Sequence, residues 1–266
     1  MTEPEAHVLP TDLPYRRRIE LRPSEGVVEA AMEDYMHHFG IRLHHDGTVI
    51  TAVEVAPERT PWSTCAGGAA GLLRLEGARL DAVADLRGWM GGRVHQCVHT
   101  TDLVLLAATT ALRCTPRTYE ILITGSFRQR RRAVMSVDGE PWADWAIVGQ
   151  SVVGDDSSPR LPLDQPAFGA WLAEHLERGS IDAEAIPVLR RATVIAMGRG
   201  LDMDAWVRPD DARPADGSCH TYDPAVVPVS LRNRGSSRPT EDDAVGAPIP
   251  APRSWPVRSA GAGTGA

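Results

Sequence analysis

Residues 27–55 read VVEAAMEDYMHHFGIRLHHDGTVITAVEV, and alternation of apolar and polar side chains runs through most of this stretch. Val28, Ala30, Met32 and Asp34 fall on one face of a first strand. Phe39, Ile41 and Leu43 fall on one face of a second. Asp46-Gly47 is a tight-hairpin signal, because the turn needs positive φ and glycine adopts it without penalty. Val49, Thr51, Val53 and Val55 continue the alternation beyond it. The stretch therefore predicts an antiparallel meander. It also sorts a histidine pair. His37 is in phase with Phe39, Ile41 and Leu43 and shares their inner face, whereas His38 points the other way with Gly40 and Arg42. His44 and His45 read as a solvated hairpin end. His37 is either a hydrogen-bonded core histidine or a site residue.

Upstream, Tyr15 to Leu21 reads as an extended strand with arginines on a solvated edge, and residues 1–14 as a loose arm. Downstream, Pro61-Trp62-Ser63-Thr64-Cys65-Ala66-Gly67-Gly68 is a small-residue loop. It precedes a helix over Ala69 to Leu75 and a further one around Leu80 to Trp89. Arg93-Val94-His95-Gln96-Cys97-Val98-His99-Thr100-Thr101-Asp102 then leads into an apolar helical run, Leu103 to Leu112. Thr100 and Thr101 are natural N-caps for that run, and Asp102 is an acid for its first turn. The stripe Leu103, Leu106, Ala107, Thr110 and Ala111 is core packing, and Cys114 beyond it is structural.

A second antiparallel group follows over Tyr119 to Thr124, Arg132 to Val137 and Trp142 to Val148, with a turn at Asp138-Gly139. The run from Arg128 to Arg132 reads as a solvated connection. Phe168 to Leu176 and Ala183 to Gly198 read as helices. From about Arg232 on, Gly, Pro, Ser and Ala dominate, which predicts a disordered tail over 232–266. The predicted fold class is α+β. An antiparallel meander packs against helices in a single domain over 15–231, completed by a second β-hairpin and C-terminal helices.

The chain has 266 residues, a formal net charge of -7 and four cysteines. The negative balance argues against a general nucleic-acid binder. No apolar run is long enough for a membrane helix, and the first residues lack the pattern of a signal peptide. A cytoplasmic location is the expectation. Cys65, Cys97, Cys114 and Cys219 are then thiols, ligands or catalytic groups rather than disulfides.

The site chemistry gathers at Gln96-Cys97-Val98-His99. A cysteine at a helix N-terminus meets partial positive charge, which favours a thiolate. A thiolate beside an imidazole is either a metal-ligand pair or the start of a nucleophile–base pair. The candidate metal ligands are Cys65, Cys97, His99 and Cys219, with His37 or His38 in reserve. Sulfur and imidazole together suit zinc, with iron second. Asp34 or Asp102 would orient an imidazole or move a proton. Without a metal, Cys97 would be the nucleophile and His99, His37 or His38 the base.

Taken together, Asp34-x-x-His37-His38-Phe39, Pro61-Trp62-x-x-Cys65, Gln96-Cys97-x-His99-x-x-Asp102-Leu103, the Leu189-Arg190-Arg191-Ala192 helix, the Cys219 turn and Gly235-Ser236-Ser237 resemble the bacterial family called domain of unknown function 2889. The likeness runs from about Tyr15 to Ser237. That family has threonine between the cysteine and histidine where this chain has Val98, so a hydroxyl donor is missing. The resemblance implies an association with the breakdown of aromatic compounds or acyl thioesters.

The expectations for function are three. One is a zinc- or iron-dependent lyase or hydrolase on a small organic or aromatic substrate, for example a retro-aldol type cleavage. Another is a metal-free Cys–His enzyme. The third is a non-enzymatic protein that holds a structural zinc or carries a metal or iron–sulfur cluster. In outline, two cysteine loops that each precede a helix, on a three-stranded meander, are similar to iron–sulfur scaffold proteins.

Overall fold

The computed structural model describes residues 13–82, 96–126, 129–153, 161–164, 166–177, 180–212, 219–238 and 249. They group into two compact units, each discontinuous in sequence. One takes 13–18 and the described residues of 118–205. The other takes 19–117, 206–238 and residue 249. The class is α+β, with antiparallel pairing between successive strands from β2 to β4 and from β5 to β9.

The larger unit is built on the meander. Strands β2 (Val27–Asp34), β3 (His38–His45) and β4 (Ile50–Arg59) pair in sequence order, next to β1 (Tyr15–Ser24). The register sets Val28 opposite Leu43, Ala30 opposite Ile41 and Met32 opposite Phe39. Ile41 and Leu43 face Val55 and Val53 on the other side. These side chains form one continuous apolar face, and each fully buried one contributes about 1.5–3 kcal/mol. The turn comes at Asp46-Gly47, as predicted. Gly47 has φ 92, and Asp46 Oδ1 accepts from the amides of Thr48 and Val49 at 2.8 Å each. Beyond it the predicted phase holds at Val53 and Val55, both buried, and fails at Val49 and Thr51. The register shifts between His44 and His45, so Ile50 is buried and Thr51 exposed. A bulge inserts one residue, and period-two reading cannot see through it.

Helix α1 (Val98–Arg113) packs on β2 and β3 through Leu103, Leu106, Ala107, Thr110 and Ala111, all buried. It starts at Val98 rather than Leu103. The apolar stripe marked only the packed middle of the helix, and its first turn is polar yet buried. The segment Cys65–Leu75 is helical but of the 3-10 type. Leu80–Ala82 forms a short 3-10 turn, and the rest of the helix predicted there lies outside the described residues.

Residues 232–238, read from composition as the head of a tail, belong to this unit. Arg232 Nη1 donates to Pro61 O at 2.8 Å, and its guanidinium lies over Trp62. Asn233 N donates to Pro61 O at 2.9 Å. Such hydrogen-bonded polar packing leaves no apolar period in a sequence. Beyond Arg238, only Ile249 is described; it is buried, and its amide donates to Glu20 Oε1 at 2.9 Å. The arm predicted over 1–14 lies outside the described residues up to position 12.

The second unit carries β5 (Arg117–Gly125), β6 (Arg130–Val137), β7 (Glu140–Val148), β8 (Ser151–Val153) and β9 (Leu161–Pro162) in that order. The β6–β7 turn uses Asp138 at φ 55 and Gly139 at φ 87, the pair of positive angles a tight hairpin requires. Helix α2 (Ala167–His175) and helix α3 (Ile181–Ile195) follow. Ser180 caps α3 by accepting from Ala183 N at 3.2 Å. The arginine run is not uniformly solvated. Arg130 and Arg132 are exposed, but Arg131 is buried and donates to Thr193 O at 3.1 Å and Gly149 O at 3.0 Å. Strand alternation turns one member of a charge run inward; Arg128 lies outside the described residues. No helix among the described residues is long and apolar enough to cross a membrane.

Candidate functional site

Cys97 is the N-cap of α1, with φ -75 and ψ 120. Thr100 and Thr101, predicted as caps, lie inside the first turn. Thr100 Oγ1 donates to Cys97 O at 3.2 Å, and Thr101 Oγ1 donates to Gln96 Oε1 at 3.2 Å. Both hydroxyls thus hold the chain where it enters the helix. Asp102 sits one turn in and half-buried, not in the first turn.

The helix start does not give a thiolate. Burial pushes the Cys97 thiol up, and the amides of His99 and Thr100 and the Thr100 hydroxyl oppose this only in part. Desolvation of a fully enclosed sulfur outweighs the fixed dipoles, so Cys97 stays neutral without a positive partner.

The second contribution comes from the β2–β3 turn. Asp34 ends β2, and its Oδ1 accepts from the amides of Met36 at 2.9 Å and His37 at 2.8 Å. The same oxygen lies 3.0 Å from His37 Nδ1. An aspartate that closes its own turn therefore also fixes an imidazole. His37 lies against His99, with ring centroids 4.1 Å apart and planes tilted 34°. Phe39 stacks on His99 at 5.8 Å. On its other side, His99 Nδ1 stands 3.9 Å from Cys97 Sγ. Asp34, His37, His99 and Cys97 thus form one buried array, each at most 6% exposed. Among the described residues, Asp34, His37 and His99 are the group of three whose ligand atoms all lie within 4.8 Å of one another.

The four-ligand set Cys65, Cys97, His99 and Cys219 is not assembled in this way. Its loops are nevertheless laced together. Cys97 N donates to Gly68 O at 3.0 Å, and His220 N donates to Gln96 O at 2.9 Å. Cys65 Sγ lies 3.6 Å from Thr221 Oγ1. Burial pushes the Cys65 thiol up to about 12, and the nearby thiols Cys97 and Cys219 add to the rise. The three cysteines are therefore neighbours, without the mutual approach of the Asp34, His37 and His99 group.

His38 takes no part in the array. It pairs across the strands with Glu33, is buried, and has a lowered pKa, chiefly from burial. Arg59 and Arg238 add to the lowering, while Glu33 and Glu58 oppose it.

Three residues with clear roles here had escaped the sequence reading. Arg59 binds the β2–β3 turn, Thr221 lies against Cys65, and Gly68 admits the Cys97 backbone. For Gly68 a signal existed. Two successive glycines after a cysteine mark a place where another segment comes close. For Arg59 and Thr221 there was none.

No curated protein matches the chain. One family model does, over residues 17–113, which takes in Asp34, His37, Cys65, Cys97 and His99 but ends before the Cys219 turn. Over residues 17–113 the chain matches the model of the family described as Protein of unknown function (DUF2889).

Proposed function

We propose that the start of α1 is a metal centre for zinc or iron, and that it serves a lyase or hydrolase reaction on a small organic or aromatic substrate. The carrying observation is the buried array Asp34–His37–His99–Cys97. Two ligand atoms about 2 Å from one tetrahedral metal stand about 3.3 Å apart. Cys97 Sγ and His99 Nδ1, 3.9 Å apart, stand close to that separation, and His37 and His99 offer ligand atoms within 4.8 Å of each other. His37, His99 and Cys97 are the ligands in this reading, and Asp34 is the partner that holds the His37 ring. A carboxylate that accepts the Nδ1 proton fixes the tautomer and leaves Nε2 to bind. Three protein ligands would leave one position open, where a bound metal would supply Lewis-acid polarisation of a substrate carbonyl oxygen. Asp34 keeps the proton on His37 Nδ1, and the apolar wall of Phe39 excludes water from the imidazole pair. Cys97 would lose its proton on binding the ion.

A second reading is a non-catalytic metal or iron–sulfur carrier. The depth of the array and the nearness of Cys65 and Cys219 to Cys97 favour it. The metal-free Cys–His reading is disfavoured by the raised pKa of Cys97 and by the 3.9 Å gap to His99.

Elemental analysis of protein purified without chelator tests the metal reading against Cys97→Ser, His99→Ala and His37→Ala. Near-stoichiometric zinc or iron that drops in all three supports it. Folded wild-type protein that takes up neither metal after both are supplied sinks it. Turnover in a screen of aromatic and acyl compounds would then separate the enzyme from the carrier, in which the ion has no exchangeable water.

A further inference from the structure

We propose that Arg59 is a positioning residue for the His37 and Asp34 end of the centre, and that residues 232–238 complete its hold as a strap. The inference rests on the metal reading above. It starts from one guanidinium with five acceptors. Arg59 Nη1 donates to Tyr35 O and Ser236 O at 2.9 Å each. Nη2 donates to Asp34 O at 2.6 Å, Glu33 Oε1 at 3.1 Å and His37 O at 3.3 Å. Three carbonyls of the β2–β3 turn, at 34, 35 and 37, thus converge on one cation. Asp34 Oδ1 takes the amides of Met36 and His37 from within the same turn. The turn is therefore pinned twice, through its amides by Asp34 and through its carbonyls by Arg59.

The strap supplies the rest. Arg238 N donates to Tyr35 O at 2.7 Å, and Arg238 Nη1 reaches Glu33 Oε1 at 2.9 Å. Ser236 O is itself held by Arg59. The strap is anchored upstream, where Arg232 Nη2 donates to Ser237 Oγ at 2.8 Å and Asn233 Nδ2 to Thr60 O at 3.1 Å. Arg59 stands at the end of β4, opposite His38. Only a planar fork of donors can serve carbonyls from three residues and a carboxylate together, so lysine cannot replace it fully.

The test uses cobalt(II) as the metal probe, bound to full-length protein and read by its visible absorption and by competition with a chelator. Outer partners of metal ligands change affinity about 10–100-fold when removed. Arg59→Gln is expected to weaken cobalt binding about tenfold and to shift the visible bands. Arg59→Lys is expected to recover part of the affinity. Arg238→Ala removes the strap's bond to Glu33 in the full-length chain and is expected to act in the same direction as Arg59→Gln, by less. Near-ultraviolet circular dichroism checks folding. Should Arg59→Gln fail to fold, Arg59→Lys and Arg238→Ala carry the test. His37→Ala separates the two levels. Full cobalt binding in His37→Ala, or none in wild type, overturns the metal reading and this inference with it. Binding lost in His37→Ala but unchanged, bands included, in the Arg59 variants overturns this inference alone.

Discussion

Gly68→Ala tests how tightly the Cys65 loop is fitted to the start of α1. A Cβ at position 68 would stand 2.7 Å from Cys97 N, 2.8 Å from Cys97 Cβ and 3.1 Å from Cys97 Cα. The first and last of these are backbone atoms at a helix cap, so no side-chain rotation relieves the clash. The displacement also stretches the bond from Cys97 N to Gly68 O, now 3.0 Å. Overpacking of this kind costs about 1–3 kcal/mol, and the weakened hydrogen bond adds about 1 kcal/mol. A loss of about 2–4 kcal/mol lowers Tm by about 4–16 °C in a chain of this size. Gly67→Ala is the control. Its Cβ would meet His220 Nε2 at 2.7 Å, the far end of a side chain that can turn away. Its expected cost is under about 1 kcal/mol, the range of substitutions without a fixed clash. Thermal unfolding by circular dichroism gives the stabilities. Alkylation of Cys97, located by peptide mass spectrometry, gives the local effect and should be faster in Gly68→Ala only. Equal damage from both substitutions, or a silent Gly68→Ala with Cys97 still shielded, refutes the argument.

Asp34→Ala leaves the Met36 and His37 amides and His37 Nδ1 without their shared acceptor, and denaturant unfolding should show a loss of about 3 kcal/mol; Asp34→Asn keeps an oxygen and should lose clearly less. Cys65 rises from the usual 9.0 to about 12, so the folded state holds a proton that the unfolded chain releases. Its contribution to stability is complete below pH 9 and is lost as pH rises from 9 to about 12; a Cys65→Ala variant should show a shallower decline in urea titrations. For His38 the sign is opposite. Its pKa is lowered from 6.5, so the unfolded chain takes up the proton first and stability falls as pH drops below 6.5. His38→Gln should flatten that limb of the profile, and an unchanged slope would count against the burial of a neutral imidazole.

The meander and both hairpin turns were legible because their signals are local. Alternation reports which side of a strand is buried, and Asp-Gly pairs supply the positive φ a turn needs. The same alternation put His37 in phase with Phe39, and the two rings do stack, at 6.1 Å. Local signals misled where polar groups are buried by hydrogen bonding. The start of α1 was set at its apolar stripe, five residues late, since Val98 to Asp102 carries no such stripe. Arg131 was lost in a charge run although its strand turns it inward.

The sequence by itself determined that the chain makes an antiparallel α+β fold, that Cys97 and His99 stand at a helix start, and that His37 is in phase with Phe39. Only the tertiary structure decided that these two places meet, that Cys65 and Cys219 stay outside the tight group, and that burial pushes the Cys97 thiol up rather than down. Backbone preference and periodicity act over a few residues and are written in the chain. Which distant side chains share a buried volume, and what that volume does to their charge, depends on long-range packing and on the water it removes.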